Sequence, residues 1–248
     1  MVDSIYLVTL RVLVVFLFLF VHGFHSQTKA QENKAKDLFE RMQSKIRSFD
    51  NVRVNVTIRA LKTDFHVKGR MVFALKNNKF RVEIQSKEKD QTTNAVWVCD
   101  GKHLESRTTV SESDDKIREV DKDKEIVDKE AAKRMVTVLA KFSAAWSLGC
   151  WDSKNGCSAT KDWPPFEYKF IGNEKLRDVN TQVFLVVFDE GSDNVKLTFR
   201  VWLNPKTNLP LRRAMYMPND PNTISLEETY SNWSFDAPTD ENEFRLPQ

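Results

Sequence analysis

The sequence predicts an α+β protein built on a curved antiparallel sheet, and three observations carry that prediction. Apolar residues alternate at period two through most of the chain, short Asn-, Gly- and Pro-bearing turns separate the alternating runs, and two stretches switch to helical spacing. The clearest hairpin lies late in the chain. Val195, Leu197, Phe199, Val201 and Leu203 alternate with Lys196, Thr198 and Arg200, which gives one apolar and one wetter face. Asn204-Pro205-Lys206-Thr207 follows, and its proline presets φ and donates no ladder hydrogen bond. The chain must reverse there, and Leu209 to Met217 supplies the returning arm.

From the N-terminus, the first element is an unbroken apolar run from Val12 to Val21, preceded by Arg11 and followed by the polar stretch from His25 to Lys34. This reads as a secretory signal. The run is shorter than the roughly 20 residues that span a bilayer. Thr28-Lys29-Ala30 offers small residues at the cleavage offsets, Val21-His22-Gly23 is a competing site, and an uncleaved N-terminal anchor is the alternative because Asp3 offsets Arg11. Residues 1–30 are thus read as the leader and 31–248 as one exported domain, not stably transmembrane once the leader is cleaved. That length suffices for one sizeable core.

Ala35, Leu38, Phe39, Met42, Ile46 and Phe49 then fall at helical spacing, with Lys36, Asp37, Glu40, Arg41, Gln43 and Lys45 on the other side. The period changes to two at once: Val52, Val54, Val56, Ile58 and Ala60 alternate with Arg53, Asn55, Thr57 and Arg59. Phe65, Val67, Gly69, Met71 and Phe73 continue the alternation, Asn77-Asn78 turns the chain, and Phe80, Val82 and Ile84 begin another arm. Trp97 to Cys99, the Asp100-Gly101 turn and Leu104 to Thr108 form a further pair.

From Glu112 to Arg134 there are nine acidic and seven basic residues, close to alternating in sign, which reads as a solvated loop or helix face. A second helical stripe begins inside its end, at Val127, Ala131, Met135, Leu139, Phe142 and Trp146. Strands resume at Phe166 to Ile171 and at Thr181 to Asp189, the latter apolar on both faces and so needing cover on both. The last strand runs from about Ile224 to Phe235 and leads to Phe244.

Cys150 and Cys157 flank a polar, flexible stretch and are expected to close a local disulfide in an oxidising compartment. Such a short loop constrains the unfolded chain by roughly 2.5 kcal/mol. Cys99 lies in an apolar strand pattern and is expected to be an inert buried thiol.

Several function classes fall away. The chain carries 38 Lys and Arg against 35 Asp and Glu, a balance that names no polyanionic partner, so nucleic-acid binding is not expected. His66 and His103 stand singly, without a second ligand at metal spacing, and no catalytic or nucleotide-binding fingerprint is present. Glu227-Glu228 cannot serve as converging acid and base, because adjacent strand residues point to opposite faces. Neither an enzyme nor a cofactor is expected.

The order of leader, amphipathic helix, strand ladder, Asp100-Gly101-Lys102 hairpin and mid-chain helix, followed by Trp202-Leu203-Asn204-Pro205-Lys206-Thr207-Asn208-Leu209-Pro210, resembles the bacterial outer-membrane lipoprotein carrier superfamily. The Tyr230-Ser231-Asn232-Trp233 strand with Phe244 behind it fits the same pattern. The resemblance implies an incomplete antiparallel β-barrel of about eleven strands, covered by a few lid helices over an apolar cavity, in the periplasm or cell envelope. It also implies binding of lipid or lipoprotein acyl chains, or alternatively a sensor or interaction module that binds an apolar segment of an envelope protein. The expected lining is Val54, Val56, Ile58, Met71, Phe73, Val82, Ile84, Leu197, Phe199 and Val201 on the strands. Met135, Leu139 and Phe142 on the second helix, from about Lys129 to Leu148, complete it. The same apolar faces also fit a dry core in which they simply meet each other.

Overall fold

The computed structural model describes residues 29–61, 66–88, 91–111, 117–126, 165–189, 196–217 and 220–246. Helix α1 covers residues 29–47. Eleven strands follow: β1 (Asn51–Ala60), β2 (His66–Ala74), β3 (Lys79–Glu88), β4 (Gln91–Cys99), β5 (His103–Ser111), β6 (Ile117–Ile126), β7 (Pro165–Leu176), β8 (Val179–Asp189), β9 (Lys196–Asn204), β10 (Leu209–Met217) and β11 (Asp220–Phe235). They make one antiparallel sheet in the order β6-β5-β4-β3-β2-β1-β11-β10-β9-β8-β7. The chain enters mid-sheet at β1 and winds outward to β6. A second meander starts at the opposite edge with β7 and returns until β11 pairs with β1. The sheet is open, with β6 and β7 as its edges.

The strand number agrees with the expected incomplete barrel, and the described residues hold one α-helix. Residues 1–28 of the leader, the second helix with Met135, Leu139 and Phe142, and the Cys150 to Cys157 loop lie outside the described residues, while residues 29 and 30, read as the end of the leader, begin α1.

One expectation is corrected. Part of the charged segment, read as a loop or helix face, is strand β6, paired to β5 from Ile117↔Ser111 to Ile126↔His103. An edge strand solvated on both faces needs no apolar alternation. Cross-strand charges take its place: Lys124 Nζ lies 2.5 Å from Glu105 and Arg107 Nε 3.1 Å from Glu119. Polar strand ends escaped the hydrophobic pattern in the same way, so β3 runs on to Glu88 and β11 starts at Asp220.

Helix α1 buries the stripe its spacing predicts, Ala35, Leu38, Phe39, Met42 and Ile46, against one face of the sheet, here called the inner face. Its exposed side carries the i,i+4 pairs Lys36–Glu40 and Asp37–Arg41, worth a few tenths of a kcal/mol each, roughly. The outer face is tied down differently. After β11 the chain crosses it as a strap: Arg53 donates to the carbonyl oxygens of Ala237 and Pro238, Arg81 donates to those of Glu243 and Arg245, and Phe244 packs on Val72 and Ala74. Further along that face Trp202 packs with Val183 and Ala214. The guanidinium carbons of Arg200 and Arg212 lie 4.8 Å and 4.5 Å from the centroid of its ring, and its indole N–H donates to Glu174 at 2.7 Å.

Candidate functional site: the inner apolar face

The pairing registers place Val52, Val54, Val56 and Ile58 of β1 in rows with Phe73, Met71, Gly69 and Val67 of β2, then with Phe80, Val82 and Ile84 of β3. On the other side of β1 the rows continue through Tyr230 and Glu228 of β11, Arg213 and Met215 of β10, and Val201 and Phe199 of β9 to Phe184 and Val186 of β8. The predicted strand residues therefore share one face. They do not share one cluster. Val54, Val56, Ile58, Met71, Phe73 and Val82 are buried together, with Ile84 packed against them. Leu197, Phe199 and Val201 belong to a second cluster under α1, with Phe184, Val186 and Phe188. All five buried residues of the helix stripe lie in this second cluster and none in the first.

An aromatic seam joins the halves, and Trp233 and Phe235 pack against both. Phe49 stacks on Phe235 with centroids 4.1 Å apart, Phe235 on Trp233 at 6.1 Å, and Tyr230 lies 5.9 Å from Trp233. A bulge makes this possible. The register of β1 and β11 shifts between Arg53 and Asn55, and Asn232 takes φ 54°. The extra residue reverses the alternation, so Tyr230 and Phe235 reach the same face although they are five positions apart. Asparagine tolerates that left-handed backbone better than most residues.

The seam also holds charge. Arg213 and Glu228 are register partners across β10 and β11. The Tyr230 hydroxyl donates to Glu228, and the Arg213 Nη1 donates to the Tyr230 oxygen at 3.4 Å. Burial pushes the Tyr230 phenol well above its ordinary pKa, with the neighbouring Glu228 carboxylate adding to the rise and Arg213 opposing it, so it stays a neutral donor. Sequence reasoning missed this cluster. The signal was present: Arg213 falls in phase with Met215, and Glu228 in phase with Leu226 and Tyr230, so each puts a charge into an apolar row. As expected, Glu227 and Glu228 diverge, since Glu227 pairs with Arg212 on the outer face.

Two clefts among the described residues open on the outer face. One of about 530 Å³ lies between the strap and Arg70, Arg81 and Glu83, and one of about 520 Å³ is lined by Asn55, Thr57, Lys68, Gln85 and Asn94. Some of their polar side chains are bonded to each other, as in Gln85 to Asn94 at 3.0 Å and Arg81 to Glu83 at 2.6 Å. Among the described residues no cluster of three potential metal ligands occurs, and no helix is long and apolar enough to cross a membrane. Cys99 is a buried free thiol whose pKa burial pushes up to about 11.

No family model matches the chain, and no curated protein matches it. Among solved structures it is similar to MucB, at 12% identity and a TM-score of 0.45, over 87% of this chain and 63% of the MucB chain. It thus spans less than two thirds of MucB's length. A conserved protein from Thermus thermophilus is similar at 10% identity and a TM-score of 0.49, over 87% of this chain and 95% of that one. LprF from Mycobacterium bovis is similar at 11% identity and a TM-score of 0.47, over 84% of this chain and 95% of that one.

Proposed function

We propose that this protein is an exported, non-catalytic binding protein that holds acyl chains or lipoprotein lipid against the inner face of its open sheet. One observation carries the reading: a single apolar face runs from β7 to β5, and the cluster that α1 joins takes in only the β7 to β11 part of it. The half around Val56, Met71 and Val82 is the ligand-holding half. An acyl chain of about a dozen methylenes gains roughly 0.8 kcal/mol per methylene on leaving water. Such a face binds lipid without a cofactor and without any polar contact.

Native mass spectrometry of the exported protein, with lipid extraction of the purified sample, tests the reading. A defined acyl ligand that co-purifies and occupies the protein stoichiometrically is the expected result. A protein that arrives empty and refuses acyl probes, yet binds an apolar segment of an envelope protein, would replace this reading with that of an interaction module of the same fold.

A further inference from the structure

Strand β7 borders the half of the sheet that α1 covers, and its outward side pairs with no strand among the described residues. A strand edge is a row of unpaired N–H and C=O groups, and folds blunt such edges with proline, bulges or charge. Strand β7 uses all three. Pro165 stands at its start, and its register with β8 shifts between Pro165 and Glu167 and again between Phe170 and Gly172. Between those shifts one regular stretch remains, residues 167–170, and it carries two exposed charges, Glu167 and Lys169.

The registers Glu167↔Val187 and Lys169↔Leu185 put both charges on the outer face, whereas Tyr168↔Val186 and Phe170↔Phe184 put the two rings on the inner face. A lone lysine on an edge discourages incoming strands; an acid and a base two positions apart instead select among them. The favoured strand carries a base opposite Glu167 and an acid opposite Lys169. Strand β7 is itself such a strand when it runs antiparallel to its own image. A two-fold axis normal to the sheet at Tyr168 sets Glu167 of each copy against Lys169 of the other, which makes two opposite-charge pairs. Moving the axis by one residue sets Glu167 or Lys169 against itself. On the inner face the axis at Tyr168 brings the two Tyr168 rings together. Each is half-buried, with its centroid 5.8 Å from that of Phe39, and packs with Phe170 on the cluster under α1. Burial, with the Glu40 carboxylate adding to the rise, pushes the Tyr168 phenol up to about 12, so the two rings meet uncharged.

We infer that β7 is a docking edge for a second copy of this chain: two copies pair antiparallel through residues 167–170, centred on Tyr168, so that two open sheets become one. The backbone groups of the two edges satisfy each other, the Glu167–Lys169 pairs fix the register, and the aromatic rings carry the apolar layer under α1 from one copy into the other. The pairing needs no lipid and is independent of what the inner face holds. A contact along so short a stretch falls below the roughly 1,200 Å² at which stable interfaces begin, so the dimer is weak and exchanges with the monomer.

Sedimentation velocity of the exported protein at low ionic strength, from about 1 μM to about 1 mM, measures the association. The parent should pass from monomer to dimer over that range. Glu167→Lys and Lys169→Glu each turn both pairs into like charges and should weaken the dimer at least roughly tenfold. Both positions are exposed, so the fold should survive either change, which circular dichroism verifies. The decisive sample is an equimolar mixture of the two variants. A Glu167→Lys copy facing a Lys169→Glu copy has a base opposite an acid at both pairs, so the mixture should dimerise about as tightly as the parent while neither variant does so alone. The double exchange Glu167→Lys, Lys169→Glu restores opposite pairs within one chain and should also dimerise like the parent. A parent that stays monomeric throughout, single variants that dimerise like the parent, a mixture no tighter than its components, or a folded double exchange that stays monomeric would each overturn the β7 pairing.

Discussion

Gly69→Ala adds one methyl where the sheet has closed over its absence. Gly69 of β2 is opposite Val56 of β1 and Ile84 of β3. A Cβ at this position would lie 2.8 Å from the carbonyl oxygen of Glu83, 3.1 Å from Ile84 Cγ2 and 3.2 Å from Val56 Cγ1. The first neighbour is backbone and cannot rotate away, and the other two are stiff β-branched side chains. The strands β2 and β3 must part or slide. Overpacking of this kind costs roughly 1–3 kcal/mol. Against it, alanine narrows the unfolded ensemble and recovers about 0.4–1 kcal/mol. The net expectation is a loss of about 1–2 kcal/mol, or a fall in melting temperature of roughly 2–8 °C for a chain of this size. Urea and thermal melts followed by circular dichroism measure it, with Lys68→Ala, an exposed neighbour on the outer face, as the reference that should change little. A Gly69→Ala protein as stable as its parent would refute the close approach of β1, β2 and β3.

Val56→Trp should block uptake of an acyl probe more than it harms folding; a sharp fall in melting temperature with probe binding intact would move the binding site elsewhere on the sheet. Cys99, its thiol pushed up to about 11, should resist alkylation at pH 8 in the native protein and react fully on unfolding. Non-reducing peptide maps should show Cys150 joined to Cys157 and no bridge to Cys99. Asp100 sits on a turn where burial opposes its charge, but hydrogen bonds from the backbone N–H groups of His103 and Lys102 and the nearby His103 ring outweigh that, so its pKa is lowered. A carboxylate with a depressed folded pKa contributes stability that is present above its unfolded value and lost as pH falls through the folded one. Asp100→Asn should therefore be less stable than the parent at pH 7, with the gap closing on the acid side; a gap independent of pH would contradict the assignment.

Much of the fold was legible because a two-sided strand writes its faces into the sequence. The arms of β9 and β10, the turn between them and the α1 stripe appear where apolar spacing and turn residues place them. What escaped shares a physical cause: apolar periodicity reports burial and is silent about backbone pairing. Strand β6 is held by hydrogen bonds to β5 and by charge pairs, so its composition looked like a solvated loop. The bulge at Asn232 hid the common face of Tyr230 and Phe235 behind a change of phase. The candidate site shows the same division. The strand residues named for it share one face, whereas their split into two clusters depends on where α1 lands, which no local pattern encodes. Arg213 and Glu228 were visible only as charges in apolar phase. Glu228 has Glu227 beside it along the strand, but its partners Arg213 and Tyr230 are set by pairing and burial rather than by sequence adjacency.

The charge pattern of β6 has a consequence for how copies of this molecule treat one another. Its register puts Asp121 and Asp123 on the inner row with Thr108 and Ser106, and Lys122 and Lys124 on the outer row with Arg107 and Glu105. Two copies joining through this edge would be related by a two-fold axis normal to the sheet, which brings inner row to inner row. Along this stretch acids would then stand beside acids and lysines beside lysines, an arrangement that cross-strand electrostatics penalises. The charge pattern of the open border thus works against pairing with its own image.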